Sequence, residues 1–466
     1  MCQNTKEPPK RISIICNGSR GDYQPYLALG VALKEAGYDV RILSNIAFEK
    51  YTNEFGLEHV SLWTEDVEIL IKEDPELLEA MANGDVRKMF QCSAKQIKKG
   101  APSIAKSFIE EMTEHRPDLL VMGTFADYFL WYAENVLNLP AVEVKLQSLV
   151  CTNERAPMGI PTLPNGGHFE LALKMFEGYF DSRAPIDDAM ETLNQPTLRS
   201  VYTKELFLED TKRIINGSPE KKIIICQPSL FKDILAPGSN ENYTFVGPMI
   251  IDSSNQSQPK TFFGGDESEN RLNEFLQKDP SRKPVYCGWG SMICKSPEIM
   301  IEFVVRALQL SGERGVVLGG FAGLSLELLK KVKGDDDDDQ GLITYAEENI
   351  LFLDKAKHEI LFPQMKCIVH HGGAGTFNAA MRAGVPNIIT PIFSDQFDHA
   401  YIINKLGNGN GFSKQLQKIT AEDLGESIKA VVSNSAMTER ASELKTKVKT
   451  EDGTKAVASF IKEILG

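Results

Sequence analysis

Apolar positions along the chain fall into short continuous runs that are separated by stretches with helical spacing. Residues 11–16 (RISIIC) form such a run, which is typical of a strand buried on both faces. Apolar residues then repeat at helical spacing over 26–33, and Pro25 suits the first turn of this helix. Another apolar run follows at 39–44. This strand–helix–strand order predicts parallel strands.

The same alternation continues through the rest of the chain. Further strands are predicted at 118–123, 141–145, 284–289, 315–319, 350–353, 367–370 and 387–391. Further helices are predicted at 126–138, 297–310, 322–333, 375–383 and 396–406, and two or three amphipathic helices at 420–466. Prolines and glycines over 151–167 indicate a loop, and loops at the ends of parallel strands usually carry the ligand.

A shift in composition near residue 247 (GPMIIDSSNQSQPK) divides the pattern in two. We therefore expect two α/β domains of similar size, at 1–245 and 263–445, with a linker at 246–262. A last helix within 446–466 is expected to pack back on the N-terminal domain. No short fixed repeat is present, which excludes solenoids and propellers.

Composition narrows the possible partners. The 466 residues carry a formal net charge of −13 and no long basic block, which argues against nucleic-acid binding. The eight cysteines include no C-x-x-C pair, so buried reduced thiols in a cytoplasmic protein are expected. No run reaches the ~20 apolar residues of a membrane span. Peripheral membrane contact and oligomeric state stay open. The aspartates 335–339 are expected to form a solvated loop rather than a metal site.

The segment 367–396 carries the strongest chemical signal. A strand runs into the glycine-rich turn 370–376 (HHGGAGT), which opens a helix. Free N–H groups and the helix dipole favour phosphate at such a turn, and a histidine and the Thr376 hydroxyl add donors. Asp395 and Gln396 follow the next strand and suit sugar hydroxyls. The turn matches neither a Walker motif nor a dinucleotide fingerprint. The alternative is a tight turn with glycines for packing.

A second segment, 18–25 (GSRGDYQP), follows the first strand and holds a carboxylate, Asp22. A carboxylate on a loop at the strand ends can reach an acceptor hydroxyl across a cleft and act as its general base. The alternative is that Asp22 only caps the helix. Ser19 and Arg20 either contact a ligand or only shape the loop.

A third segment, 285–292 (VYCGWGSM), is a strand that ends in a Gly-Ser turn. Gly290 allows close approach to the backbone, and Ser291 can donate to a phosphate. This signal is weak when it is taken alone.

Together these three segments resemble the inverting glycosyltransferases of the GT-B fold, in particular the sterol glucosyltransferases and the antibiotic-type glycosyltransferases. The likeness does not extend to 60–115 or 145–240. It implies an α/β fold of two Rossmann-like domains that face each other across a cleft. It also implies that a hexose is transferred from a UDP-sugar to a hydroxyl of a sterol-like or polyketide-like acceptor with inversion. Glucose is the hexose we expect. No metal or other cofactor is expected.

The resemblance also implies roles for individual residues. Asp22 corresponds to the catalytic base and His371 to the histidine that binds the diphosphate. Asp395 and Gln396 correspond to the pair that holds the sugar. The full donor-binding set implied is Ser19, Arg20, Ser291, Ala356, His358, His371, Gly373, Ala374, Gly375, Thr376, Asp395 and Gln396.

Three positions depart from related enzymes. Plant small-molecule glycosyltransferases use a histidine where this chain has Asp22, and a ribose-binding glutamate where it has Ala379. Sterol-type enzymes continue with an aromatic pair after Asp-Gln, where this chain has the residues 397–399 (FDH). Asp127 does not match the plant residue that orients the base, and we expect it on the surface or in a loop.

Other functions remain open. A UDP-sugar epimerase and a lipid-intermediate glycosyltransferase share the fold. A non-catalytic nucleotide-sugar binder is disfavoured because Asp22, His371, Asp395 and Gln396 are all present. An NAD-linked enzyme is disfavoured because the dinucleotide fingerprint is missing.

Overall fold

The computed structural model describes residues 8–66, 69–70, 73–83, 85–251, 265–290, 292, 295–334 and 341–466. Ser291 and the aspartates 335–339 lie outside the described residues, as does most of the linker expected at 246–262. Within the described ranges, no helix combines the length and the apolar character that a membrane crossing requires.

The first half of the chain builds one parallel sheet with the strand order β3-β2-β1-β4-β5-β6-β7 among the described residues. Its strands are β1 Arg11–Ile15, β2 Asp39–Asn45, β3 Glu58–Trp63, β4 Leu119–Met122, β5 Ala141–Lys145, β6 Ile223–Ile225 and β7 Tyr243–Phe245. The pairing of β1 with β4, for example Ile14 with Val121, is parallel, as the strand–helix alternation predicts.

The second half repeats this plan with the order β10-β9-β8-β11-β12-β13. Its strands are β8 Val285–Gly288, β9 Gly315–Leu318, β10 Ile350–Leu353, β11 Cys367–His370, β12 Asn387–Ile389 and β13 Gly409–Gly411. Both sheets follow the doubly wound order in which the chain reverses direction across the sheet next to the first strand. The expected fold of two Rossmann-like domains is confirmed.

Helices cover both faces of the two sheets. In the first half they are α1 Arg20–Glu35, α2 Glu49–Glu54, α3 Pro75–Asn83, α4 Val86–Glu110, α5 Asp127–Asn135, α6 Gly167–Asp181, α7 Ala184–Thr192, α8 Lys204–Ile215 and α9 Lys232–Leu235. In the second half they are α10 Gly265–Lys278, α11 Pro297–Ser311, α12 Leu326–Lys333, α13 Leu342–Asn349, α14 His358–Leu361, α15 Ala374–Ala383, α16 Gln396–Leu406, α17 Ala421–Val432, α18 Ser435–Lys449 and α19 Gly453–Leu465.

The last helix returns to the first domain. Val457 and Ile461 of α19 are fully buried in the cluster that also contains Ile12 and Ile14 of β1. Burial of two large aliphatic side chains stabilises such a contact by roughly 3–6 kcal/mol. The end of the chain therefore ties the second half of the molecule to the first.

Two expectations at element ends need comment. The first helix begins at Arg20, so Pro25 lies inside α1 rather than in its first turn. The start is fixed instead by Ser19 and Asp22, which form a capping box. The six cysteines that the structure describes are buried free thiols, as expected: Cys16, Cys92, Cys151, Cys226, Cys287 and Cys367.

Candidate active site

The two sheets point their carboxyl ends at a common cleft with a volume of about 3040 Å³. In each sheet the cleft lies beside the point where the strand order reverses, after β1 and β4 in one and after β8 and β11 in the other. Ligands of doubly wound folds bind at this point. Since a site for one small ligand measures roughly 300–1,000 Å³, the cleft has room for two substrates.

Asp22 lies on the N-terminal wall, in the first turn of α1. Its Oδ2 accepts hydrogen bonds from the Ser19 backbone N–H at 2.8 Å and from the Ser19 hydroxyl at 2.9 Å. Gly18 has a φ of +119°, and a Cβ there would lie 2.6 Å from Asp22 Oδ2, so only glycine leaves space for the carboxylate. Asp22 is therefore a helix cap that also lines the cleft. Burial raises the pKa of Asp22.

The two histidines after β11 have different environments. His370 is fully buried and holds the turn, because its Nδ1 accepts from the Gly372 N–H at 3.1 Å and its Nε2 contacts Asn387 Oδ1 at 3.1 Å. His371 lines the cleft, and its buried Nδ1 has no partner among the described residues. Burial, then the nearby His399 and His358, lower the pKa of His371 to about 4, so its imidazole is neutral at pH 7.

Helix α15 points its N-terminus into the cleft. Gly373 occupies the cap position, and Ala374, Gly375 and Thr376 form the first turn on the cleft wall. A Cβ on Gly373 would lie 2.4 Å from His371 Nε2, so the glycine allows the imidazole to lie against the turn. The first N–H groups of the helix have no side-chain cap and are suited to an anion.

Asn378 was missed by sequence reasoning, which considered the neighbouring Ala379 instead. Asn378 lines the cleft on α15, and its buried Oδ1 has no hydrogen-bond partner among the described residues. Its place on the helix that carries the glycine turn is the signal that was available in the sequence. The Asn378 side chain brings a hydrogen-bond acceptor to the cleft, on the helix whose N-terminus is suited to an anion.

Asp395 and Gln396 lie at the start of α16, and their side chains have different environments. Gln396 Oε1 accepts from the Ile392 N–H at 2.8 Å and the Phe393 N–H at 3.3 Å, so this oxygen holds the loop after β12. Asp395 is partly buried, and burial followed by the charges of Asp22 and Asp398 raises its pKa well above the usual range. Asp22 and Asp395 line the same cleft from opposite walls.

Ala356 and His358 line the cleft near the end of β10. The His358 ring stacks on Phe362 at 4.4 Å between centroids. Burial, and then the positive charge of Arg20 from the other domain, lower the pKa of His358 to about 4. Arg20 lies with its guanidinium carbon 5.8 Å from the Tyr51 ring centroid. Arg20 and His358 thus line the cleft from opposite walls. Ser291 lies outside the described residues.

A buried polar network that the sequence did not reveal joins the two walls. Arg155, from the loop after β5, forms a buried ion pair with Asp398 of α16, and Asp398 Oδ2 also accepts from the Met158 N–H at 3.2 Å. His399 donates from Nδ1 to the Gly372 carbonyl at 2.6 Å and contacts Gln227 Nε2 through its Nε2 at 3.2 Å. These residues link the loop at 151–167 to the turn that carries His371.

Asp127 is not a surface residue, which corrects the expectation. It begins α5, its side chain is 19% exposed, and it lines the cleft. Lys145 contacts its Oδ1 at 3.1 Å and the Tyr179 hydroxyl donates to its Oδ2 at 2.7 Å. The carboxyl ends of β4 and β5 therefore bring charged groups into the cleft.

In the part of the chain that the structure describes, no group of three or more His, Cys, Asp or Glu side chains is arranged to hold a metal ion.

Two family models match the chain, one on each side of the cleft. The N-terminal domain of glycosyltransferase family 28 matches residues 12–140, which include Asp22. The C-terminal domain of the family described as erythromycin biosynthesis protein CIII-like matches residues 332–464, which include His371 and Asp395.

Curated relatives match over nearly the whole chain at low identity. A sterol 3-beta-glucosyltransferase of Saccharomyces cerevisiae is 26% identical over 97% of this chain and 35% of its own length. A UDP-sugar-dependent glycosyltransferase of Dictyostelium discoideum is 24% identical over 98% of this chain and 26% of its length. A sterol 3-beta-glucosyltransferase of Arabidopsis thaliana is 24% identical over 96% and 67%. The chain thus spans about a quarter to a third of the length of the first two relatives.

Solved structures share the fold over whole chains. The glycosyltransferase of kitacinnamycin superposes with a TM-score of 0.63 at 17% identity, covering 98% of this chain and 99% of that one. A calicheamicin glycosyltransferase gives 0.62 at 15% identity, covering 98% of both chains. A Streptomyces sp. SF2575 glycosyltransferase complexed with thymidine diphosphate gives 0.55 at 13% identity, covering 97% and 99%.

Proposed function

Since the chain belongs to the glycosyltransferases of the GT-B fold, we propose that it transfers a hexose, first of all glucose, from a UDP-sugar to a hydroxyl of a small lipophilic acceptor with inversion. One observation carries this proposal. Asp22 on the N-terminal wall and Asp395 on the C-terminal wall line the same cleft, and helix α1, which carries Asp22, packs against α15, whose N-terminus faces that cleft. A base on one wall and a sugar ligand on the other are what a direct displacement needs.

The diphosphate binds at the N-terminus of α15 in this proposal. Neutral His371 donates one hydrogen bond to a phosphate oxygen, and the Thr376 hydroxyl and the free N–H groups after Gly373 donate others. The helix dipole adds to this attraction, typically by about 0.3–1 kcal/mol. These groups stabilise the charge of the leaving diphosphate without a metal ion.

The sugar and nucleoside bind on either side of the diphosphate. Asp395 accepts hydrogen bonds from the hexose hydroxyls, and Gln396 contributes its amide NH₂ because its oxygen holds the loop. Asn378 Oδ1 accepts from a ribose hydroxyl, which supplies the role that a glutamate fills in plant enzymes. Ala356 and His358 border the uracil.

The reaction is a single in-line displacement. Asp22 removes the proton from the acceptor hydroxyl through Oδ1, the oxygen that accepts neither hydrogen bond from Ser19. The acceptor oxygen forms a bond to the anomeric carbon as the bond from that carbon to the diphosphate oxygen breaks. UDP leaves with the electron pair, and the configuration at the anomeric carbon is inverted.

The acceptor is proposed from the names of relatives and from the room in the cleft. The yeast and plant relatives are named for sterols, and two of the structural neighbours are named for kitacinnamycin and calicheamicin. One structural neighbour holds thymidine diphosphate, so dTDP-glucose belongs in the donor panel beside UDP-glucose. A sterol-like or polyketide-like alcohol fits the proposal.

Replacement of Asp22 tests it. We expect Asp22→Asn to lower kcat about 10²- to 10⁴-fold, the usual contribution of a general base, and to leave UDP affinity unchanged. Ser19→Ala is the matched control, since it removes a hydrogen bond to the carboxylate and keeps the base. Proton NMR of the glycoside should show inversion. Wild-type turnover by Asp22→Asn that still binds the donor would show that Asp22 is not the base.

A further inference from the structure

The N-terminal wall of the cleft carries a polar group of residues that the proposed reaction does not use. We call Asp127, Glu143, Lys145, Tyr179 and Arg183 the Arg183 cluster, and all five line the cleft. Lys145 Nζ lies 3.1 Å from Asp127 Oδ1 and 2.6 Å from Glu143 Oε1. Tyr179 donates to Asp127 Oδ2 at 2.7 Å. Both oxygens of Asp127 therefore already have donors.

Arg183 is the member with unused hydrogen-bonding capacity. The residue is 8% exposed, and its buried Nε–H has no hydrogen-bond partner among the described residues. The guanidinium carbon lies 4.2 Å from the centroid of the Tyr179 ring, so the group stacks on an aromatic face. This stacking fixes the plane of the guanidinium and leaves its Nε–H unpaired.

Among the described residues Asp127 forms its ion pair with Lys145, and no ion pair joins it to Arg183. Burial alone would raise the pKa of Asp127, but Lys145, the Tyr179 hydrogen bond and the charge of Arg183 together lower it. Asp127 is thus a carboxylate whose two oxygens are bound elsewhere. Arg183 acts on it only through its charge.

Burying a donor of a charged group without a hydrogen-bond partner is costly, and an unpaired donor such as the Arg183 Nε–H calls for a specific explanation. A guanidinium is planar and presents donors in a fork that matches a carboxylate with two parallel hydrogen bonds. The group that completes this site must therefore bring oxygen acceptors, and a carboxylate is the best match.

Large apolar side chains also line this wall. Leu130, Trp131, Phe176 and Phe207 line the same cleft around the cluster. Trp131 lies 5.0 Å from Phe207 between ring centroids. These side chains favour a ligand with a hydrophobic body over a small polar metabolite.

We propose that Arg183 binds a carboxylate of the acceptor, so that the acceptor is a lipophilic alcohol that also carries an acid group. This inference rests on the proposed function, because it assumes that the N-terminal wall receives the acceptor. The inference favours hydroxy acids as acceptors over plain sterols, whose single hydroxyl is used by the reaction itself.

Ligand binding to the UDP-saturated protein tests the inference without requiring turnover. Two matched pairs serve as probes: a 3-hydroxysteroid acid with its methyl ester, and a hydroxyaryl acid with its methyl ester. We expect the wild type to bind at least one acid more tightly than its ester, on the order of 10- to 100-fold. Arg183→Met should remove this preference by weakening the acid and leaving the ester unchanged.

Two variants make the result specific. Lys174→Met removes an exposed cation from the same wall and should change neither affinity. Arg183→Lys keeps the charge without the fork and should retain part of the preference. Unaltered ester binding by Arg183→Met shows that the wall is still folded. Equal affinity for acid and ester, no binding of any probe, or an equal loss of both in Arg183→Met would overturn the inference. Failure of the protein to bind UDP would instead count against the proposed function.

Discussion

At the scale of single residues, burial shifts the pKa values of the titratable side chains in the cleft. Asp22 and Asp395 have raised pKa values, while His358, His371 and His399 have pKa values lowered to about 4. The carboxylates therefore take up protons more readily than free side chains do, and the histidines less readily. The proposed base is shifted toward the operating pH, which general-base catalysis favours.

This shift predicts the pH dependence of the reaction. The base must be deprotonated, so kcat/KM should fall as pH falls through the pKa of Asp22, with a midpoint above its ordinary value of 3.8. The measurement is kcat/KM against pH, with circular dichroism to confirm that the protein stays folded. The residual activity of Asp22→Asn should lack this limb. A wild-type midpoint at or below 3.8 would contradict the raised pKa.

At the scale of elements, the first turn of α15 allows the effect of a substitution on stability to be distinguished from its effect on ligand binding. Gly375 lies in the first turn of the helix and is exposed to the cleft, and a Cβ added to it would meet no atom within 4 Å. Gly178 on α6 is likewise exposed and has the same space around it. An alanine at either site should stabilise the fold by about 0.4–1 kcal/mol, because it restricts the unfolded chain.

The two substitutions should differ in UDP binding. In Gly375→Ala the added methyl group stands where the phosphate approaches the helix N–H groups, so UDP affinity should fall at least roughly tenfold, or about 1.4 kcal/mol. In Gly178→Ala UDP affinity should not change. Thermal unfolding and calorimetry measure the two quantities. Undiminished UDP binding by Gly375→Ala would place the diphosphate elsewhere.

Many of the strands and helices could be predicted from the sequence. Strands such as β4 and β11 lie where they were expected, because strands buried on both faces read as short apolar runs. The start of α1 was wrong because Pro25 was weighed above the pair Ser19 and Asp22, a capping signal that the sequence does contain. The residues of helices α6–α8 show no usable sequence pattern, so the Arg183 cluster was not predicted from the sequence.

At the scale of the whole molecule, the two domains are joined through contacts that no local pattern reveals. Arg155 and Asp398 are 243 positions apart and both 4% exposed, and neither residue alone indicates the other. The same holds for Gln227 and His399. The network explains the departure at 397–399: Phe397 packs against Gly159, where a Cβ would lie 2.7 Å from its ring, while Asp398 and His399 bind the opposite wall. The limits 1–245, 246–262, 263–445 and 446–466 stay a prediction.

The buried ion pair should be strongly coupled. Arg155→Met or Asp398→Asn alone should cost about 3–5 kcal/mol of the free energy of unfolding, because each leaves a buried polar partner, and the double variant should cost less than the sum. Urea denaturation measures this cycle. Donor hydrolysis should rise relative to transfer in the single variants, since the loop at 151–167 no longer holds the turn. Additive effects would show that the pair does not couple the domains.

The central claim is that a uridine diphosphate sugar binds between the two domains. Calorimetry of the purified protein with UDP, UDP-glucose and NAD, in the presence of EDTA, tests this claim most directly. We expect UDP and UDP-glucose to bind at one site and NAD to give no heat. We expect His371→Ala to weaken UDP binding by about 1.5–3 kcal/mol, which is the contribution of one hydrogen bond to a charged group. Absence of UDP binding to the wild type would contradict the account.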